Sequence, residues 1–329
     1  MTQLYPLRFA PLYKSAIWGG RRFETVLGRN LGPQTDREPI YSESWEIADH
    51  PHGQSVVQNG PLAGTSLGQL TATRTEELLG PDHSGPRFPL LLKYLDANLR
   101  LSVQVHPDDD LAAQLGLDDT GKAEAWLVVE ADPGSSIWAG FSRSVDRKTV
   151  QAAIREGSID RLLYRFEPAP GDCLFLPAGT VHALGEGILV AEIQQASDST
   201  FRLFDWNRRD HDGNPRTLHV ERALQAIDYG QGPVTPLHPH RTKRAWVERL
   251  VESRQFVLDR LNLDSPQLAG GEGTCHVITI LRGSAWVEGD VAAEPLQFGQ
   301  TILLPACLGP ITVKPGEDGP AVLMDAYLP

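Results

Sequence analysis

Residues 99–106 alternate apolar and polar side chains, Leu-Arg-Leu-Ser-Val-Gln-Val-His. In an extended chain neighbours point to opposite faces, so Leu99, Leu101, Val103 and Val105 enter one layer and Arg100, Ser102, Gln104 and His106 the other. Pro107 and the acidic triplet Asp108 to Asp110 close that strand. Glu124-Ala-Trp-Leu-Val-Val-Glu130 predicts a second strand with Pro133-Gly134 as its turn, and Gly171-Asp-Cys-Leu-Phe-Leu-Pro177 a third. Residues 188–194 read as a fourth. Two stretches read as helical. One runs from Ser66 to Leu79, between loops at Asn59-Gly-Pro and at residues 80–86. In the other, Ile159, Leu162, Leu163 and Phe166 follow i, i+3, i+4, i+7 spacing behind Ser158 as N-cap, which predicts a small helical insertion over 146–166.

An internal repeat orders these elements. Gly171-Asp-Cys-Leu-Phe-Leu-Pro-Ala is echoed by Gly299-Gln-Thr-Ile-Leu-Leu-Pro-Ala306, and a strand at 276–283 precedes the second copy as 124–134 precedes the first. His182 aligns in the repeat with Pro310, which cannot ligate a metal. The stretch Tyr229-Gly-Gln-Gly-Pro-Val-Thr-Pro236 between them is rich in turn formers. With 31 glycines and 25 prolines cutting the chain into short segments, the pattern predicts a mainly β protein of two jelly-roll barrels. Their expected limits are 1–235, which carries the helical insertion, and 236–329, which has no metal ligands.

Charge and cysteine content narrow the partners. Acidic side chains outnumber basic ones 42 to 30, and a net charge of -12 gives no footprint for nucleic acid or an anionic membrane. No apolar run reaches the ~18 residues of a spanning helix, and the polar start Met-Thr-Gln lacks the apolar core of a signal peptide. A cytoplasmic protein is expected. Cys173, Cys275 and Cys307 cannot all pair, so they fit reduced thiols, with Cys173 and Cys307 packing as small apolar groups in the repeated strands. His238-Pro-His240 stands apart from other ligand types, and Asp108 to Asp110 lacks the spacing of a calcium loop. His50-Pro-His52, beside Ser42-Glu43-Ser44-Trp45, is a candidate to line a cleft. The sequence leaves a homo-oligomer open.

Gln104, His106, Glu124 and His182 could converge on one divalent metal. Their nitrogen and oxygen donors suit Zn²⁺, and without a thiolate they also admit Mn²⁺, Fe²⁺ or Co²⁺. Lys122, Asp198 and Arg202 add an amine, an acid and a cation beside them. Taken singly, each has an ordinary reading: a surface histidine, a solvated carboxylate, a Pro-Gly turn, an i, i+4 pair of Asp198 with Arg202. The ordered combination is what points to chemistry.

That combination resembles the type I phosphomannose isomerases of the short bacterial form, within the cupin superfamily. The resemblance runs through Trp18-Gly-Gly, Glu43-Ser-Trp45, Phe88-Pro-Leu-Leu-Leu-Lys93, Gln104-Val-His-Pro-Asp-Asp109, Lys122-Ala-Glu124, Gly171-Asp, Pro177-Ala-Gly-Thr-Val-His-Ala183 and Asp198-Ser-Thr-Phe-Arg202, most of the first two-thirds of the chain. It implies one Zn²⁺ per chain on His106, Glu124 and His182, with Gln104 as a further ligand where some short relatives carry Lys. It also implies Lys122, Asp198 and Arg202 around a sugar phosphate, and interconversion of mannose 6-phosphate and fructose 6-phosphate through a cis-enediol. Within that chemistry Lys122 is the first choice for the C1/C2 proton, Asp198 for ring opening and Arg202 for enediolate charge. Ser102, Lys93 and Arg202 are the candidate phosphate contacts. The rival expectations are a related cupin isomerase for another sugar or sugar phosphate, and a metal-containing cupin that binds a sugar without turning it over.

Overall fold

Six antiparallel strands form the large sheet of the amino-terminal unit, in the order Cys173–Leu176, Glu124–Ala131, Ile188–Gln195, Leu90–Ala97, Glu43–Ile47, Leu12–Lys14. A second sheet has the order Leu163–Phe166, Ile137–Phe141, His182–Leu184, Val103–Val105, Phe201–Phe204. The computed structural model describes residues 2–31, 40–83, 85–209 and 213–329, so Ser84 of the predicted 80–86 loop and Met1 of the polar start lie outside it. Leu95, Ala97, Trp126, Val128, Ile188 and Val190 of the first sheet meet Ile137, Ala139 and Leu184 of the second in one buried cluster. The two sheets thus close over a shared interior, the jelly-roll arrangement expected.

The other unit repeats this plan. Its large sheet has the order Leu7–Arg8, Thr301–Leu304, His276–Arg282, Ala321–Tyr327, Val257–Leu263, Val247–Glu252, His240–Arg241, and its small one the order Gln267–Ala269, Ile311–Pro315, Ala285–Val287. The echoed segments are equivalent strands: Cys173–Leu176 pairs with Glu124–Ala131 as Thr301–Leu304 pairs with His276–Arg282. Alternation along the strands then glues the units together. Ala125, Leu127, Leu189, Ala191 and Ile193 leave the first interior and pack in one cluster with Leu258, Cys275, Val277, Leu303, Met324 and Ala326. Complete burial of each leucine-sized side chain contributes about 1.5–3 kcal/mol, so the interface is a core in its own right. Leu7–Arg8 crosses to pair with Leu303 and Ile302, and Arg8 meets Asp290 in a buried ion pair.

Several local expectations are corrected. The insertion is helical over Arg147–Glu156, where Asp146 accepts from the Thr149 amide and Gly157, at φ +65, ends the helix in the left-handed region that favours glycine. The periodic residues behind Ser158 instead form a 3₁₀ turn, Ile159–Leu162, and a strand, Leu163–Phe166. A four-residue apolar spacing fits a buried turn entering a strand as well as it fits a helix. The stretch after Ser66 has the capping box with Gln69 but breaks at Arg74 into Leu67–Thr73 and Thr75–Leu79. Only Val103–Val105 of the 99–106 pattern pairs in a sheet, and Leu99 is 47% exposed. Asp108, read as a strand end, caps the helix Asp109–Gln114. Cys173 and Cys275 are buried, and burial pushes both thiols up to about 12. Cys307 lies past its strand, exposed in the turn Ala306–Leu308. No helix among the described residues is long and apolar enough to cross a membrane.

The repeat extends to buried polar positions. In the first unit Glu124 lies opposite Leu176, and Glu192 is flanked by Trp126 and Lys93. In the second, His276 lies opposite Leu304, and Asp325 is flanked by Ile278 and Asp259. His276 has neighbours of its own, since Nδ1 stands 3.0 Å from Asp325 and Nε2 3.3 Å from the Gly271 carbonyl. Burial opposes the imidazolium, but Asp325 outweighs it and raises His276 from 6.5 to about 10. The stability this provides is therefore full below pH 6.5 and is lost as the pH rises through about 10. Thermal unfolding of the parent and of His276→Gln checks the sign: the gap in midpoint is largest below pH 6.5 and shrinks toward pH 10. A gap that widens with pH contradicts it.

Candidate metal centre and cleft

Two cross-strand rows build the site. In the small sheet Gln104 lies between His182 and Arg202, each its register partner on a neighbouring strand. In the large sheet Lys93, Glu192 and Trp126 are partners in the same way. Glu124 opens its strand beside this second row, and His106 follows Val103–Val105 directly. The period of two thus sends Ser102 and Gln104 into the interior while Val103 and Val105 pack outward under the helical insertion.

His106, Glu124 and His182 are all buried and offer ligand atoms within 4.8 Å of one another. Glu124 Oε2 stands 3.5 Å from His106 Nε2, and Oε1 stands 3.2 Å from His182 Nε2. The remaining ring nitrogens lie 2.9 Å from carbonyl oxygens, His106 Nδ1 from Ser199 and His182 Nδ1 from Thr180. A carbonyl can only accept, so each Nδ1 carries the proton and each Nε2 presents its lone pair toward Glu124. This is how outer partners aim metal-binding imidazoles. Burial, then the charge of Lys122, lowers the His106 pKa well below its usual value and favours the neutral ligand form. Burial opposes charge on Glu124, yet the Lys122 ammonium at Oε2 prevails and holds its carboxyl well below the usual range. Glu124 Oε1 nonetheless lacks a hydrogen-bond partner, an orphaned buried oxygen of the kind a cation would satisfy. The donor set therefore fits a divalent metal. Gln104 turns its amide nitrogen toward His182 Nε2 at 3.2 Å and accepts from Ser102 at its oxygen. Half a turn of the amide exchanges the two ends.

Beside the triad lies a cleft of about 340 Å³, lined among others by Ser102, Gln104, Lys93, Lys122, Asp198 and Arg202. The residues expected as further ligand, catalytic groups and phosphate contacts are all on its wall, whereas His50 and His52, expected to line a cleft, are not among its lining residues. Lys122 Nζ donates to Glu124 Oε2 and to Glu192, 3.2 Å away. Burial works against its charge, but Glu124 and Glu192 raise its pKa and keep the ammonium. Lys93 Nζ sits 3.1 Å from Glu43 and 3.5 Å from Glu192. Asp198 and Arg202 do not pair with each other. Arg202 donates to Ser102 and to the Thr217 carbonyl, and burial together with Arg216 lowers its pKa. His52, in the segment expected to border a cleft, stands 2.9 Å from Asp198. Among the described residues the exposed His238 and His240 belong to no such cluster.

Sequence reasoning missed Glu192, Glu43, Arg216 and Lys14, all on the cleft wall. Glu192 had a signal, being the one carboxylate in the apolar strand Ile188–Gln195, where it also accepts from Trp126 Nε1 at 2.8 Å. Lys14 and Arg216 had none, because they reach the cleft from segments far apart in the chain.

Residues 7–156 match the family described as phosphomannose isomerase type I, catalytic domain. A Bacillus subtilis protein named probable mannose-6-phosphate isomerase GmuF is 34% identical, over 94% of this chain and 96% of its own. The mannose-6-phosphate isomerase ManA of the same species is 34% identical over 92% and 94%, and that of Streptococcus mutans 33% over 91% and 92%. The crystal structure of the Bacillus subtilis mannose 6-phosphate isomerase superposes with a TM-score of 0.87 at 29% identity, covering 99% of this chain and all of that one.

The orphaned Glu124 oxygen leads to a binding test. Stripped protein takes up one divalent ion per chain, and at about 100 times the dissociation constant the folded state gains about 2.7 kcal/mol. His182→Ala loses both the uptake and the gain. Metal content by elemental analysis, with unfolding midpoints, checks this; undiminished binding by the variant contradicts it.

Proposed function

The chain belongs to the type I phosphomannose isomerase family, and from that premise we propose that it interconverts mannose 6-phosphate and fructose 6-phosphate through a cis-enediol, with Zn²⁺ as its metal. The observation that carries the reading is the meeting of the buried His106–Glu124–His182 triad with a cleft walled by Lys122, Asp198 and Arg202. His106, Glu124 and His182 would hold the ion, with Gln104 as a further ligand. Bound there, zinc supplies Lewis acidity without a redox change, which suits a reaction that only relocates a proton.

The chain's own groups do the rest. Lys122 moves the proton between C1 and C2. The ammonium first passes one proton to Glu192 Oε1, 3.2 Å from Nζ; the free amine then takes the proton from one carbon and, as the ammonium so formed, returns it to the other. Arg202, beside Gln104 in the sheet, holds negative charge developing on O1 or O2. Asp198, ionised and on the cleft wall, serves ring opening: the burial that opposes its charge is outweighed by Lys93 and His52. Lys93 has three N–H donors and two carboxylate partners, so one donor is left for substrate oxygen. Ser102, with Arg216 and Lys14 of the same cleft lining, forms the side that meets the phosphate. The substrate is a small sugar phosphate; neither nucleic acid nor membrane is required.

A coupled assay of the metal-loaded protein tests the reading. Mannose 6-phosphate is converted to fructose 6-phosphate, with free mannose turned over far less efficiently, and failure of the parent chain on the phosphorylated sugar rejects the proposal. Lys122→Ala keeps its metal but loses about 10²–10⁴-fold in kcat, the usual contribution of a positioned acid or base. Near-normal exchange of solvent hydrogen at C2 in that variant would exclude Lys122 as the base.

A further inference from the structure

Asp198 lines the cleft on the turn between Ile188–Gln195 and Phe201–Phe204, yet only its backbone is anchored there. Its amide donates to Asp119 Oδ2 at 2.7 Å. Among the described residues the hydrogen bond to its carboxylate comes from one side chain, His52, whose Nδ1 lies 2.9 Å from Oδ2. His52 arrives from 146 positions away in sequence. A carboxylate only accepts, so the ring carries a proton on Nδ1.

His52 is itself held on several sides. Its backbone amide donates to His50 Nδ1 at 3.2 Å, and its carbonyl accepts from Lys14 Nζ. The two imidazoles meet edge to face at 4.8 Å, and His50 packs its edge against Trp45 at 6.0 Å. Because His50 Nδ1 accepts from the His52 amide, its proton sits on Nε2, which faces Asp119 Oδ2 at 3.4 Å. Asp119 is the same carboxylate that takes the Asp198 amide. The contacts therefore close a ring: His52 to the Asp198 carboxylate, Asp198 backbone to Asp119, Asp119 to His50, His50 back to His52.

We propose that His52 is a positioning residue for the isomerisation, fixing the rotamer of the Asp198 carboxylate that faces the substrate, with His50 and Asp119 as its base plate. The inference rests on the reading of Asp198 as the ring-opening group. The His52 side chain is 66% exposed and that of Asp198 41%, and an exposed pair adds little to folding. Its value lies in geometry, since a group misaimed by an ångström loses rate far out of proportion to binding. Asparagine is the informative substitute because its Nδ2–H sits, like the imidazole Nδ1–H, two bonds beyond Cβ.

Metal-loaded parent, His52→Ala and His52→Asn are compared for kcat and KM on mannose 6-phosphate, with unfolding midpoints. In His52→Ala kcat falls by about tenfold or more while KM stays within about threefold and the midpoint does not move, the loss expected of a misaimed group. His52→Asn recovers to within about threefold of the parent by restoring the donor. An unchanged kcat in His52→Ala, a loss confined to KM, or an asparagine variant no better than alanine overturns the proposal. A parent chain that does not turn over mannose 6-phosphate is a separate result, seen before any variant, and removes the functional reading on which the proposal stands.

Discussion

Glu124 is a carboxylate with no solvent exposure, buried between two β-sheets, and that single fact organises the site. An ionised carboxylate in such surroundings needs cations or donors close by, because the cost of removing it from water is several kcal/mol even after relaxation. Lys122 provides one charge, directly at Oε2. The two imidazoles, each with its proton turned away toward a backbone carbonyl, offer lone pairs instead of donors to the other side. Lone pairs facing a carboxylate stabilise nothing by themselves. At His106 the Lys122 ammonium already stands against both Nε2, 3.4 Å away, and Glu124 Oε2, whereas among the described residues no cation partners Oε1, which faces His182 Nε2.

The second charged row follows from the first. Lys122 is shared between Glu124 and Glu192, Glu192 is shared between Lys122 and Lys93, and Lys93 reaches Glu43. Opposite charges thus alternate across neighbouring strands, from the candidate metal triad along the lining of the cleft. The second barrel keeps the same lattice positions with other chemistry. Where the first has Glu124, Glu192 and Lys93, it has His276, Asp325 and Asp259, and Tyr327 and Arg249 complete a self-satisfied network. One duplicated plan carries the candidate metal centre and its cleft in one copy and a buried hydrogen-bonded network in the other.

Much of this was legible in the sequence because β-structure writes its faces at a period of two. The alternation around Gln104 and His106 placed both on one face, although the face expected to point inward was that of Val103 and Val105, and the Gly171 and Gly299 segments disclosed equivalent strands of the two sheets. Short elements were harder to read. The same apolar spacing at Ile159, Leu162 and Leu163 serves a 3₁₀ turn and a strand, and Arg74 interrupts the stretch from Ser66 to Leu79 that reads as a single helix. Long-range pairings were invisible. Nothing in the local pattern says that Glu192 lies against Lys93, that Arg216 and Lys14 line one cleft with Arg202, or that His52 meets Asp198. Such contacts depend on which strands become neighbours, and a one-chain pattern records each strand's face but not its partner.

Turnover of mannose 6-phosphate to fructose 6-phosphate by the same preparation, stripped of metal and then given one equivalent of Zn²⁺ per chain, tests the central claim most directly. The account predicts no turnover after stripping, recovery on addition of zinc, and neither binding nor recovery in Glu124→Gln, which leaves the two imidazoles without the charge between them. Full activity in the stripped protein, or in Glu124→Gln, would contradict it.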